Sequence, residues 1–407
     1  MRRVVITGAG IASPLGCSVN SAFERLKTYE NCVEIWPVLS EIKNMDTRLV
    51  TRVNDFKQPE HFTRKVTRTM GPVSIMAVTT AEEALKDSGL LGDEIITNGQ
   101  TGVAYGSSSG SMGTIKDFYM VEFEKELKGL NSGSYIKMMA HTAGVNISLH
   151  FKTKGRFLTS STACTSGSLS IGMGYETIKY GMQDIMIVGG AEELCASHIG
   201  VFDTLYATSQ KNDTPNLTPS PFDIDRDGLV IGEGAGTLIL EEYEHAKNRG
   251  AKIYAEIVGF ATNTDGTHIT SPNSETMQIV MEKAIKSANI PSQEIGYVNA
   301  HGTGTKNGDK AETIATYGAF GRQVPISTIK SYTGHTLGAC GAIEAVLSIE
   351  MMNNNWFSPN LNLKNIDPEC GDLDYIVDEG RKIDTEYIMS NNFAFGGINT
   401  SLIFKRI

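Results

Sequence analysis

Ile231-Gly-Glu-Gly-Ala-Gly-Thr-Leu-Ile-Leu240 and Phe395-Gly-Gly-Ile-Asn-Thr-Ser-Leu-Ile-Phe404 follow one pattern, a glycine turn that feeds a closing apolar strand. Each closes a segment that opens on a similar apolar strand, Val4-Val5-Ile6 near the start and Ile257-Val258 just past the middle. Matching ends of this kind point to two copies of one α/β unit divided near residue 250, giving halves 1–250 and 251–407. Nothing between them reads as a linker, so the halves are expected to share an interface.

Short apolar runs alternate with helical patterns along the rest of the chain. Strands are expected at Arg3–Thr7, Thr101–Gly106, Ile185–Gly190, Gly236–Leu240, Tyr254–Gly259, Tyr297–His301, Pro325–Ile329 and Tyr387–Asn391. Met277, Val280, Met281, Ala284, Ile285 and Ala288 recur with helical spacing. Ala77–Lys86 repeats that pattern and stops at Gly89, a C′ glycine by position. Such alternation argues for α/β layers with parallel sheet. Residues 107–155 and 191–235 read as excursions decorating the first half.

Composition narrows the function. Lys+Arg 36 against Asp+Glu 46 gives a net charge of −10, the wrong balance for general binding to nucleic acid or anionic membrane. An acidic partner must therefore dock on a local basic patch. Met1-Arg2-Arg3 before Val4-Val5-Ile6 imitates a secretory leader, but Gly8, Gly10 and Pro14 break the run, which reads better as a first strand and turn. Cysteines 17, 32, 164, 195, 340 and 370 form no C-x-x-C pair, so neither a disulfide framework nor a zinc knuckle is expected. A reduced, cytoplasmic protein is the expectation.

Three patterns invite over-reading. Thr7-Gly8-Ala9-Gly10 follows a strand but lacks the third glycine of a dinucleotide fingerprint. Asp223-Ile-Asp225-Arg-Asp227-Gly228 starts like a calcium loop but has Gly234 at the twelfth position. Gly106-Ser107-Ser108-Ser109-Gly110 fits the G-x-S-x-G elbow of a serine hydrolase, with Ser108 as nucleophile, and is the rival from another enzyme class.

Cys164 lies in Ser160-Ser-Thr-Ala-Cys-Thr-Ser-Gly-Ser168, a small-residue turn opening a helix over Thr165–Lys179. The helix dipole and free N–H groups there favour a thiolate. His301 ends a strand and begins His-Gly-Thr-Gly-Thr305, and Asp309 and Glu312 follow at i, i+3 on one helical face. Ser327-Thr-Ile-Lys330-Ser-Tyr-Thr-Gly-His335 then leads into a helix over Leu337–Met352. Taken singly, either histidine reads equally well as structural.

With Ala394-Phe395-Gly396-Gly397, these segments resemble the motif set of the β-ketoacyl-acyl carrier protein synthases, the elongating condensing enzymes of the thiolase superfamily. T-A-C, H-G-T-G-T-x-x-G-D-x-x-E, K-x-x-x-G-H-x-x-G-A-x-G and F-x-F-G-G occur in order, and the resemblance runs from Val4 to Phe404. It implies a thiolase-like duplicated αβαβα layered fold, two similar halves packed around central buried helices. It also implies a decarboxylative Claisen condensation: Cys164 takes an acyl chain from a carrier thioester, and His301 and His335 act on malonyl-acyl carrier protein. The backbone N–H groups of Cys164 and Phe395 would form the oxyanion hole, Lys330 and Glu312 a supporting pair beside Asp309, and Thr270, Thr303 and Thr305 contacts to the phosphopantetheine arm.

The same resemblance implies no metal or cofactor, a dimer, and acyl carrier protein as partner. Ser107, Ser108, Ser109 and Phe393 are expected to line the acyl pocket, with Phe395 as its gate. Arg64, Lys65 and Arg68 are expected to form the docking patch. The family pattern is broken at Thr165, Ser166, Leu229, Ala394 and Ile398, which leaves the chemistry intact and the accepted chain open. Fatty-acid elongation is the first reading. A specialised polyene or polyketide synthase subunit, paired with a cysteine-less chain-length partner, is the second.

Overall fold

The computed structural model describes residues 1–407. Eleven strands form one hydrogen-bonded series: β1 (Val4–Ala12), β2 (Thr101–Gly106), β3 (Phe157–Ser160), β4 (Ile185–Glu192), β5 (Gly234–Glu242), β6 (Ala255–Thr264), β7 (Ile295–Asn299), β8 (Pro325–Ser327), β9 (Asp374–Tyr375), β10 (Tyr387–Phe393) and β11 (Ile398–Lys405). Their order is β9-β8-β7-β10-β11-β6-β1-β5-β4-β2-β3. Outward from the β1–β6 seam, each direction reads antiparallel, antiparallel, parallel, parallel. The echoed segments take equivalent places as β5 and β11. The two opening strands meet at the seam itself, where Val4 pairs with Ile257.

Six helices complete the layers: α1 (Pro72–Asp87), α2 (Thr142–Phe151), α3 (Ser166–Lys179), α4 (Ser274–Ala288), α5 (Lys306–Phe320) and α6 (Cys340–Asn353). Strand alternation assigns the faces. Met186 and Val188 of β4 join a central core with Ile171 of α3 and Ile343 of α6, while Ile185 and Ile187 face outward with Leu85 of α1 and Ile147 of α2. In the second half Ile388, Leu402 and Phe404 point to the same central core, and Met389 and Ile403 to α4 and α5. The result is the expected duplicated αβαβα layering, with α3 and α6 buried between the sheets. Each large aliphatic side chain so buried contributes about 1.5–3 kcal/mol. No helix is long and apolar enough to cross a membrane.

Several expectations need correction. β3 and β9 escape the sequence because they are short edge strands; Phe157 and Thr159 are exposed, so β3 carries little apolar signal. α2 falls inside the supposed excursion over 107–155, yet Ala143, Ile147 and Phe151 pack it into the outer helical layer. Its small and polar residues hide the period. Gly8 and Gly10 form no turn: β1 runs through them, and a Cβ there would lie 2.2 Å from the carbonyl of Ala84 and 2.1 Å from that of Thr80. They are glycines because α1 presses on β1.

Candidate active site

The chain leaves β3, passes Ala163 at φ +50°, and enters α3 through a 3-10 turn over Ala163–Thr165. Cys164 sits in that turn, buried, with Sγ 2.9 Å from His335 Nε2. Burial pushes its thiol up to about 11, against the positive charge of Lys330 and the N–H groups of Phe395 and of Cys164 itself. The helix-end stabilisation expected from sequence is therefore outweighed by desolvation. The resting group is a thiol with N–H donors already aimed at it.

His301 follows β7. Its backbone N–H donates to Glu312 Oε1 (2.6 Å), and the Gly302 N–H donates to Glu312 Oε2 (2.8 Å), so the carboxylate clamps the strand end. Burial pushes Glu312 up to about 8 despite those two donors. Lys330 Nζ lies 3.2 Å from His301 Nδ1. An ammonium can only donate, so Nδ1 is the acceptor and the ring proton sits on Nε2. Burial, then the Lys330 charge, hold both His301 and His335 well below the ordinary imidazole value. Both rings are neutral, perpendicular, and 5.1 Å apart between centroids. The Cys164 sulfur and a nitrogen of each ring all lie within 4.8 Å of one another.

Lys330 is not paired with Glu312. Its ion pair is with Glu344 of α6, whose other oxygen accepts from Asn392 Nδ2 at 2.7 Å. Neither Glu344 nor Asn392 was anticipated. The available signal was a single carboxylate in the apolar run Ala342-Ile-Glu344-Ala-Val-Leu347, where an uncompensated charge would not be tolerated. Asp309 accepts from the N–H groups of Phe222 (2.9 Å) and Gly304 (3.1 Å) and faces Arg226 at 3.5 Å. Arg226 also pairs with Asp367 at 2.6 Å. Asp309 thus anchors the loop over 221–228 to the His301 turn, while Asp223 is occupied by the N–H groups of Lys364 and Asn365.

A cavity of about 420 Å³ leads to Cys164, His301 and His335. Thr270, Thr303 and Thr305 line it, as do Phe393 and Phe395, with exposed Lys306 among the residues of its wall. Phe395 packs on Phe202 at 4.9 Å between centroids and precedes Gly396 and Gly397, both at positive φ (+85° and +70°). Ser107, Ser108 and Ser109 do not line this cavity. They surround buried Glu192: the Ser108 N–H donates to its Oε2 (2.9 Å), and Ser107 Oγ lies 3.4 Å from Oε1. The hydrolase constellation is not formed at Ser108; the neighbouring Ser109 meets a histidine instead, His198 Nε2 at 2.9 Å. Arg64, Lys65 and Arg68 are exposed in and just after the short helix Arg64–Thr67 and lie outside the cavity wall.

Comparison with known proteins agrees with this geometry. Residues 1–246 match the family model "Beta-ketoacyl synthase, N-terminal domain", and residues 254–364 match "Beta-ketoacyl synthase, C-terminal domain". A 3-oxoacyl-[acyl-carrier-protein] synthase 2 of Vibrio harveyi is 39% identical, the alignment covering 100% of this chain and 99% of the relative. The crystal structure of a beta-ketoacyl synthase from Burkholderia phymatum superposes with a TM-score of 0.98 at 54% identity over 100% of both chains. A ketosynthase of a type II polyketide system (AntDE:AntF), in complex with its acyl-carrier protein and bound to a hexaketide, gives 0.89 at 29% identity over 100% and 99%.

Proposed function

The chain belongs to the beta-ketoacyl synthase family, and from that premise we propose that it condenses an acyl group held on Cys164 with malonyl-acyl carrier protein. The observation that carries this reading is the convergence of Cys164, His301 and His335, with Lys330 fixing the His301 tautomer.

In the first half-reaction Cys164 Sγ attacks the carbonyl of an acyl-carrier thioester. The carbonyl oxygen becomes an oxyanion facing the N–H groups of Cys164 and Phe395; the carrier sulfur then leaves with the thiol proton. Malonyl-carrier enters next, its pantetheine arm along Thr270, Thr303 and Thr305. His301 Nε2–H and His335 Nε2 face its thioester carbonyl. The bond to the carboxylate breaks, carbon dioxide leaves, and the electron pair settles as an enolate that the imidazoles hold. Two such donors supply about 3 kcal/mol each. The enolate carbon attacks the acyl-Cys164 carbonyl, the C–S bond breaks with its electron pair on sulfur, the Cys164 thiolate takes up a proton from solvent to restore the thiol, and the β-ketoacyl product departs on the carrier.

We assign residues 1–250 to the half that brings the nucleophile and 251–407 to the half that brings both histidines, so the site is assembled between them. A cofactor-free, metal-free site is part of this proposal. Cysteine and two histidines would suit a transition metal, but the Lys330 ammonium beside His301 opposes a cation there. Six unbridged cysteines fit a reducing compartment such as the cytoplasm. The partners in this reading are acyl carrier protein, docking at Arg64, Lys65 and Arg68, and a second subunit, either a copy of this chain or a chain-length partner. Exchanging Lys65 and Arg68 for glutamate is expected to raise KM for carrier-bound substrate several-fold and flatten its salt dependence; an unchanged salt titration removes the patch.

Primary fatty-acid elongation is the first reading. The likeness to a ketosynthase holding a hexaketide favours a polyketide or polyene role as the second. Intact-mass analysis of the acyl group trapped on Cys164, from a panel of acyl-carriers with and without malonyl-carrier, tests the reaction. A mass gain absent from Cys164→Ala is expected; acyl capture that persists in that variant overturns the assignment.

A further inference from the structure

The wall of the catalytic cavity holds two permanent cations, and they are not alike. Arg226 is buried and paired with Asp309 and Asp367. Its guanidinium also donates to the carbonyls of Thr305 (3.3 Å) and Lys306 (2.8 Å), which fixes the start of α5. Lys306 is exposed and belongs to no ion pair. It opens α5, where the first helical bond runs from the Asp309 N–H to the Thr305 carbonyl, so the N–H groups of Lys306, Asn307 and Gly308 keep no acceptor. The Thr305 hydroxyl does not cap them and lies 3.0 Å from Thr303 Oγ1 instead. His268 lines the same cavity. Its Nδ1 accepts from the N–H groups of Thr270 and Ser271, each at 3.1 Å, so the ring proton sits on Nε2.

Depth orders these groups. Cys164, His301 and His335 are buried at the inner end of the cavity, whereas His268, Thr270, Lys306 and Asn307 are exposed at its mouth. A phosphopantetheine arm carries its thioester at one end and its phosphate at the other. With the thioester at Cys164, the phosphate end lies toward the mouth, where Lys306 and the opening of α5 present positive charge. We propose that Lys306, with the Nε2–H of His268, holds the phosphate of the arm there and selects phosphopantetheine-borne thioesters over unphosphorylated ones. The inference rests on the reading of Cys164 as the acyl acceptor and of this cavity as the path of the arm.

The test compares the loading of Cys164 from acyl-phosphopantetheine and from acyl-pantetheine bearing the same acyl group, with acyl-carrier as a third donor. The readout is the ratio of kcat/KM values, followed by intact mass. The wild type is expected to favour the phosphorylated small donor by about tenfold, the scale of one charge-assisted hydrogen bond. Lys306→Ala is expected to bring that ratio toward one, and Lys306→Arg to keep most of it. His268→Asn, whose Oδ1 can still accept from the Thr270 and Ser271 N–H groups, is expected to lower it by a smaller factor. A wild-type ratio near one, or a ratio unmoved by Lys306→Ala or by His268→Asn, overturns the inference while leaving the condensation reading intact. A loss in Lys306→Ala seen with acyl-carrier alone also overturns it, because Lys306 would then meet the surface of the carrier. Failure of every donor to load Cys164 overturns the condensation reading and this inference with it. Because the readout is a ratio within one protein, partial loss of folded material in a variant cancels.

Discussion

The two central helices are entered through the same turn. Ala163 at φ +50° and Leu337 at φ +48° each open a 3-10 segment, Ala163–Thr165 and Leu337–Ala339, that runs into α3 or α6. The second position of the turn is Cys164 in one half and Gly338 in the other. Around Cys164, the N–H groups of Cys164 and Phe395 act on the sulfur, lowering its pKa against burial, and in the proposed reaction they also meet the substrate oxygen. Around Gly338, the N–H groups of Gly338 and Ser108 both end on Glu192 Oε2. One backbone device thus serves twice. In the proposed reaction the first turn is left for the substrate's oxygen; in the second the donors are already taken by the buried Glu192 carboxyl, whose pKa burial raises, and a β-carbon on residue 338 would lie only 2.7 Å from that oxygen.

The contrast is sharpened most by Cys164→Gln. Condensation is expected to fall by about 10⁴-fold or more, because acyl capture needs the thiol. Malonyl-carrier decarboxylation, read as carbon dioxide release, should persist, because the histidines act on that step. Loss of both activities would mean that the first turn and the histidines form one indivisible unit.

Lys330→Met comes next. It removes the donor that fixes the His301 tautomer and leaves Glu344 without its ion-pair partner in the core. Decarboxylation is expected to drop by about 10²-fold, comparable to losing one oxyanion donor, and stability by about 3–5 kcal/mol. Lys330→Met paired with Glu344→Met should recover most of the stability, measured by urea unfolding, without recovering the rate. Recovery of both would reduce Lys330 to a packing role.

Gly338→Ala tests the second turn directly. The new methyl meets Glu192 Oε2 at 2.7 Å and the Ser108 nitrogen at 2.8 Å, neither of which is a free side-chain end. Destabilisation of about 1–3 kcal/mol is expected. A variant as stable as the parent would show that the carboxylate does not fill this turn.

The smallest effect is in pH. His301 and His335 are held neutral by burial and by Lys330, so their folded-state pKa values lie below the unfolded value near 6.5. As pH falls through that value the unfolded chain takes up protons that the folded chain refuses, and stability is lost. Raised carboxylates such as Glu312 act in the opposite sense, so the informative quantity is a difference. His335→Asn is expected to flatten the fall in Tm below pH 6.5 relative to the parent, and parallel curves would mean that His335 protonates freely in the fold.

The sequence disclosed the doubling because β5 and β11 are both written as a glycine turn followed by a strand that closes on three apolar residues, Leu238-Ile-Leu240 and Leu402-Ile-Phe404. It disclosed Cys164, His301 and His335 only because their motifs occur together and in order, since singly either histidine reads equally well as structural. Glu344 escaped for a physical reason. α6 is buried nearly all round, so no helical period marks which face meets Lys330, and that contact joins elements no local pattern connects. The serines at 107–109 misled for the converse reason: their sequence context suggests an open pocket, but a carboxylate contributed by β4 draws them together.

The seam where Val4 pairs with Ile257 places the structure's approximate two-fold axis inside one polypeptide. What would be the isologous interface of a symmetric dimer is here intrachain. In a true homodimer any change to the turn before the central helix is made twice, so a thiol in one copy obliges a thiol in the other. Covalent fusion removes that obligation. One copy of the turn can carry a reactive sulfur while its twin gives up its side chain to close around a buried carboxyl group, and a single asymmetric site can arise from a symmetric frame.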